Sequence, residues 1–134
     1  MFTRFSPAAR AVITLAEQEC RNASHYYLGT EHLLLAMAID PSADVATEFE
    51  RLGLERWLVK RTLREEMDQA SDHPWDGILI TPRVQRIVAA ARDATSEPEL
   101  VQPIDLLRAI VDDGGGVAAR VLQRLTAQAT ARHG

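Results

Sequence analysis

Phe5-Ser6-Pro7 opens an apolar helical stripe that leads on to Leu33-Leu34, and Ile80-Thr81-Pro82 opens a second stripe that leads on to Leu106-Leu107. The two stretches keep register. Ser6-Pro7 falls on Thr81-Pro82 at an offset of 75, and Val12, Leu15 and Ala16 fall on Ile87, Ala90 and Ala91 at the same offset. Leu28, Leu33, Leu34 and Ala36 fall on Val101, Leu106, Leu107 and Ala109 at an offset of 73, two residues having been lost in the intervening loop. Val45, Phe49, Arg51 and Leu52 continue at 73 onto Ala118, Leu122, Arg124 and Leu125. Short helical sequences resemble one another by chance, whereas a sustained offset is hard to obtain that way, and two copies make one pseudo-symmetric domain rather than a solenoid.

The same residues set the elements. Ser6 can cap free amides and Pro7 fits a first turn, so a helix is predicted from there to about Ala23. Thr30 is the predicted cap of a second helix, which ends near Asp40-Pro41. Ser42 caps a third, which Gly53 stops. A fourth runs from about Leu54 to Met67, with Leu54, Trp57, Leu58 and Leu63 as packing residues. Periodicity then vanishes, and residues 68–79 read as a linker in which Trp75 covers the seam between repeats. Thr81-Pro82 starts a fifth helix, Gln102-Pro103 a sixth, and Gly114-Gly115-Gly116 precedes a seventh. The tail from Ala127 to Gly134 lacks an apolar stripe, so the last helix is expected to be short or degraded. No segment alternates well enough for a strand. The reading is all-α: one domain over 1–134, with repeat one at about 1–67, repeat two at about 80–126 and a tail at 127–134.

At 134 residues, 46% hydrophobic and 25% charged, the chain has enough apolar material for one core. A net charge of -4 and a single lysine, Lys60, argue against a nucleic-acid partner. Arg56, Lys60, Arg61 and Arg64 cluster, but Glu55, Glu65 and Glu66 interleave with them, which reads as a solvated helix face. Cys20 is the one cysteine, with no partner for an intrachain disulfide, and reads as a small buried hydrophobe. No membrane span and no signal-like start are visible, so a cytoplasmic setting is expected. His25 and His32 lie on opposite sides of a helix start, His73 falls in the linker and His133 in the tail, which gives no metal-ligand spacing. No Gly-x-Ser-x-Gly elbow or phosphate loop occurs, since Gly114 to Gly116 is not followed by Lys and a hydroxyl. No catalytic residue, metal or cofactor is expected. Docking, rather than catalysis, is the predicted role.

One polar cluster remains, Gly29-Thr30-Glu31-His32. Thr30 as cap and Glu31 in the first turn suit the positive end of a helix dipole, which makes a well-capped helix one reading. The other is a docking point, where an exposed carboxylate takes a guanidinium in a two-pronged hydrogen bond. Both stay open.

Met1-Phe2-Thr3-Arg4-Phe5, Leu28-Gly29-Thr30-Glu31-His32-Leu33-Leu34-Leu35, Thr81-Pro82-Arg83 and Gly115-Gly116-Val117-Ala118-Ala119-Arg120-Val121-Leu122 together resemble the Clp amino-terminal (Clp repeat) domain, closest to the ClpC type. The resemblance spans about residues 1–126. It implies two four-helix repeats in a globule that captures substrates or adaptors for a hexameric AAA+ unfoldase ring and its peptidase. It also implies recognition of phosphoarginine-marked proteins, with Thr30, Glu31 and His32 as ligand-binding residues. In the second repeat the matching positions are Pro103, Ile104 and Asp105, where the carboxylate is lost and the site is expected to be degraded. A groove near Phe2, Thr14 and Ile80 is a further candidate. The tail reads like a natural terminus, which raises an alternative: a free-standing decoy that sequesters ligands of such domains, cyclic peptide antibiotics included.

Overall fold

In the computed structural model, which describes residues 1–67 and 77–133, the order is α1 (Pro7–Asn22), β1 (Tyr27–Leu28), α2 (Thr30–Ile39), α3 (Ala43–Arg51), α4 (Arg56–Glu66), β2 (Leu79–Ile80), α5 (Pro82–Asp93), α6 (Pro103–Asp113) and α7 (Gly116–His133). The start signals act as their chemistry dictates. The hydroxyls of Ser6, Ser42 and Thr81 accept from the amides of Ala9 (3.0 Å), Val45 (3.3 Å) and Val84 (3.3 Å). Gly29, not Thr30, caps α2, so the boundary moves by one residue. The second helix of each repeat is closed from inside: His32 Nδ1 accepts from the Gly29 amide (3.0 Å), and Asp105 Oδ2 from the Gln102 amide (2.8 Å). His32 and Asp105 are counterparts at the offset of 73, and different chemistry does the same work.

The repeats are interlocked rather than stacked. Leu28 pairs in parallel with Ile80, and Phe5 with Val101, so the lead-in to each repeat's first helix pairs with the lead-in to the other repeat's second. The bonds match as well, Ser6 N to Val101 O at 2.9 Å and Thr81 N to Leu28 O at 3.2 Å. These strands are two residues long, which is why no alternation betrays them, and they correct the strand-free expectation. The exchange extends to helices: α1 packs on α2 and α5 on α6, but α3 packs on α6 and α7 on α2. At the amino end, the Arg4 guanidinium donates to the carbonyls of Arg92 (2.9 Å) and Thr95 (3.1 Å), closing the end of α5.

Helix α2 is central, with every residue from Thr30 to Ala38 buried. Phe49, Leu33, Met37, Leu106, Leu107 and Ile110 fill the core around it. Cys20 belongs to that core. Its thiol donates to the Tyr27 carbonyl at 3.2 Å and is pushed up to about 12, first by burial and then by the Glu31 carboxylate.

The repeats diverge after their third helices. Gly53 adopts a left-handed φ of 74°, and the Leu54 amide returns to Phe49 O at 2.8 Å, ending α3 in a cap that favours glycine. The counterpart of Gly53 is Thr126, which cannot take that conformation cheaply, so α7 runs on to His133 as one helix. The tail is therefore a continuation of α7, with Ala129 buried beside Gly53, and among the described residues repeat two has no separate fourth helix. On α4, Val59, Thr62 and Leu63 take the buried stripe. Trp57, two positions before Val59 and hence on the far side, is 54% exposed instead of packed. Most of the expected linker, with His73 and Trp75, lies outside the described residues.

Candidate functional site

Thr30, Glu31 and His32 start a helix that is buried, not exposed. Thr30 Oγ1 accepts from the Ala118 amide at 3.2 Å, so this hydroxyl caps the first turn of α7 from the opposite repeat. The Glu31 carboxylate takes a hydrogen bond from the Tyr27 hydroxyl (3.3 Å) and folds over Gly29, where a β-carbon would collide with it. Glycine at this position leaves room for the carboxylate to lie there. His32 is fully buried, and because its Nδ1 accepts from an amide, its proton sits on Nε2, 2.8 Å from His25 Nδ1. Burial, and next the neighbouring His25, lower His32 to about 4. The two histidines read as lying on opposite sides of a helix start are thus a buried pair, brought together by the turn between α1 and β1. No group of three metal-ligating side chains occurs among the described residues.

The other motifs meet at the same junction. The Arg83 guanidinium pairs with Asp113 and lies across Gly115 and Gly116, whose missing side chains make room for it. Gly29-Thr30, Thr81-Pro82-Arg83 and Gly115-Gly116 are hence parts of one node that fastens the starts of α2, α5 and α7.

In the second repeat, Pro103 and Ile104 are buried and Asp105 folds back on its own helix start. Phe2 packs on Phe5 with ring centroids 5.3 Å apart, Thr14 lies on the exposed face of α1, and Ile80 is partly buried in β2. The three occupy different elements, and none lines the clefts described next.

A cleft of about 400 Å³ lies between α5 and α6, lined by Arg86, Ile87, Ala90, Ala94, Asp105 and Arg108 among others. The matching groove of repeat one is instead divided into two hollows, one of about 150 Å³ with Ala11, Val12, Leu15 and Ala36 in the matching positions and one of about 290 Å³ with Glu19 and Leu35 in the places of Ala94 and Arg108. Two differences account for this. Leu15 fills space that Ala90 leaves open. In addition, α4 packs on α2 and reaches α1 through Arg64 to Glu19 at 3.5 Å, whereas among the described residues no separate helix covers α6 in the same way. Leu35 is accordingly 1% exposed while its counterpart Arg108 is in solvent. The cleft has an alanine floor and charged rims, Arg86 and Arg108 with Asp105, Asp112 and Asp113. Site-by-site reading missed it; the signal was the mismatch of Leu15 with Ala90 in the repeat alignment.

Comparison with known proteins agrees with this architecture. The model of the Clp repeat (R) N-terminal domain matches residues 4–123. The chaperone protein ClpB of Oceanobacillus iheyensis is 31% identical over 127 residues, which is 93% of this chain and 16% of that protein. The negative regulator of genetic competence ClpC/MecB of Bacillus subtilis is 28% identical over 127 residues, again 93% and 16%. This chain therefore spans about a sixth of the length of such relatives. Among solved structures, the N-domain of ClpV from Vibrio cholerae superposes with a TM-score of 0.74 at 16% identity, covering 84% of this chain and 69% of that one. A complex of a ClpV N-domain with a VipB peptide gives a TM-score of 0.68 at 17% identity, covering 83% and 69%. Matched over nearly its whole length, with the duplicated fold to go with it, the chain belongs to the family of Clp repeat N-terminal domains.

Proposed function

We propose that this domain is a docking module of a Clp-type unfolding system, and that it holds a peptide segment of a substrate or adaptor in the α5–α6 cleft. The carrying observation is the difference between the two grooves: on an otherwise duplicated scaffold, the α1–α2 groove is divided into two smaller hollows, with Leu15 in one and Arg64 of α4 lining the other, whereas one continuous cleft of about 400 Å³ runs between α5 and α6. Concave apolar sites with a few charged groups at the rim suit peptide side chains. A ClpV N-domain solved with a VipB peptide supports a peptide ligand for this fold. Binding without chemistry fits the reactive side chains. The Cys20 thiol is buried and held protonated near 12, and His32 is engaged at both ring nitrogens.

The test is to return the open cleft toward its divided counterpart. Ala90→Leu inserts the residue of repeat one, and fluorescein-labelled casein serves as an unfolded probe in an anisotropy titration. Binding by the parent and a loss of about tenfold or more in Ala90→Leu are expected, the scale of a lost interface anchor. Equal affinity in both proteins removes the cleft from the account.

Phosphoarginine recognition is a narrower form of this proposal. Its support is a carboxylate, Glu31, in the first turn of α2; Thr30 and His32 already serve backbone amides. Calorimetry with a phosphoarginine peptide, parent against Glu31→Ala, tests it, and no heat from either protein ends it.

A further inference from the structure

We propose that the outer face of α4 is a second docking surface, built for an acidic segment of a partner protein that carries one aromatic or aliphatic anchor. Trp57, Lys60, Arg61 and Arg64 recur at i, i+3, i+4 and i+7 and form one stripe on the side away from Val59, Thr62 and Leu63. The Arg61 guanidinium carbon lies 5.0 Å from the centre of the Trp57 ring, and the indole N–H is turned onto Glu55. Together with Glu65 the stripe lines a shallow depression of about 490 Å³.

In the free domain this arrangement stabilises little. Half of the indole surface stays in water, although a large aromatic contributes most when desolvated. Lys60 and Arg64 are one turn apart, a spacing at which like charges repel. Lys60 pairs with no carboxylate among the described residues, and Arg61 to Glu65 at 3.6 Å is a long, exposed contact of the kind that exchanges readily, while Arg64 is held by Glu19 at 3.5 Å. Tryptophan and arginine are the residues that concentrate binding energy once a partner excludes water.

Charge selects the occupant. Lys60, with no carboxylate partner among the described residues, and Arg61, whose contact with Glu65 is long and exposed, leave the depression locally positive and call for carboxylates. Glu55, Glu65 and Glu66 flank the stripe, so a uniformly charged phosphate backbone meets repulsion there, whereas a peptide can place its carboxylates at discrete points. No residue is shared with the α5–α6 cleft, so this surface stands or falls independently of it.

The experiment titrates the intact domain with three labelled probes: a short peptide of glutamates around one phenylalanine, the same peptide with lysines for glutamates, and an oligothymidine. The acidic peptide alone is expected to bind, more weakly as salt rises. Trp57→Ala and the pair Lys60→Glu with Arg61→Glu should each weaken it about tenfold or more. Ala90→Leu should leave it unchanged. All these positions are on the surface or in an open cleft, and circular dichroism verifies that each variant is folded. No binding of the acidic peptide, equal binding by Trp57→Ala, or oligothymidine binding as tightly as the peptide each overturns the proposal.

Discussion

The hydroxyl of Thr30 caps an amide that lies 88 residues away along the chain, and that distance explains why its partner was invisible. The sequence singled out Gly29 to His32, but local pattern offered only a helix cap or a docking point. Tertiary closure made Thr30 and His32 parts of a buried junction. Thr30→Val keeps the volume and removes the acceptor, so the Ala118 amide is left buried and unpaired; a loss of about 1–3 kcal/mol by urea denaturation is expected, with Thr30→Ser close to the parent. The neighbouring histidine gives the domain an acid limit. Its pKa falls from 6.5 in the unfolded chain to about 4 in the fold, so below 6.5 the unfolded state takes up the proton first. His32's contribution is therefore intact above pH 6.5 and is lost as pH falls towards 4, by about 3 kcal/mol in all. Denaturation midpoints measured across that window should drop, and the drop should shrink in His32→Asn, which retains a hydrogen-bonding side chain.

At the scale of elements, one glycine decides how many helices there are. Gly53 ends α3 in a left-handed cap, and Thr126 in the same repeat position lets α7 continue. Gly53→Ala should cost about 1–2 kcal/mol, because a β-carbon resists that backbone and also presses on Ala129, and thermal denaturation reads the loss directly. Helix starts were legible because Ser6, Ser42, Thr81 and the prolines act within one turn. The two strands were not, being too short for any period. Nor was the exposure of Trp57, since choosing the buried face of α4 required knowing that α2 and α7 pack against Val59, Thr62 and Leu63.

For the molecule as a whole, duplication yields interdependence. Each half lends the other a strand partner, and α3 and α7 pack on the second helix of the opposite repeat. A fragment of residues 1–67 is therefore expected to show no cooperative thermal transition by circular dichroism; a sharp transition would contradict the interlocked reading. The offsets of 75 and 73 carried the fold and its symmetry from sequence alone, because core positions recur faithfully. The asymmetry between the two grooves was only half legible. The exchange of Glu31 for Ile104 pointed to it, but at positions the fold buries, whereas Leu15 against Ala90, in plain view, marks the open cleft. The central claim is that symmetric halves present one working cleft. Amide chemical-shift mapping with an unfolded casein peptide tests it most directly: perturbations should gather at Ala90, Ala94, Arg108 and Ala109 and spare Ala11, Leu15 and Ala36. Equal perturbation of both clefts, or of neither, would contradict it.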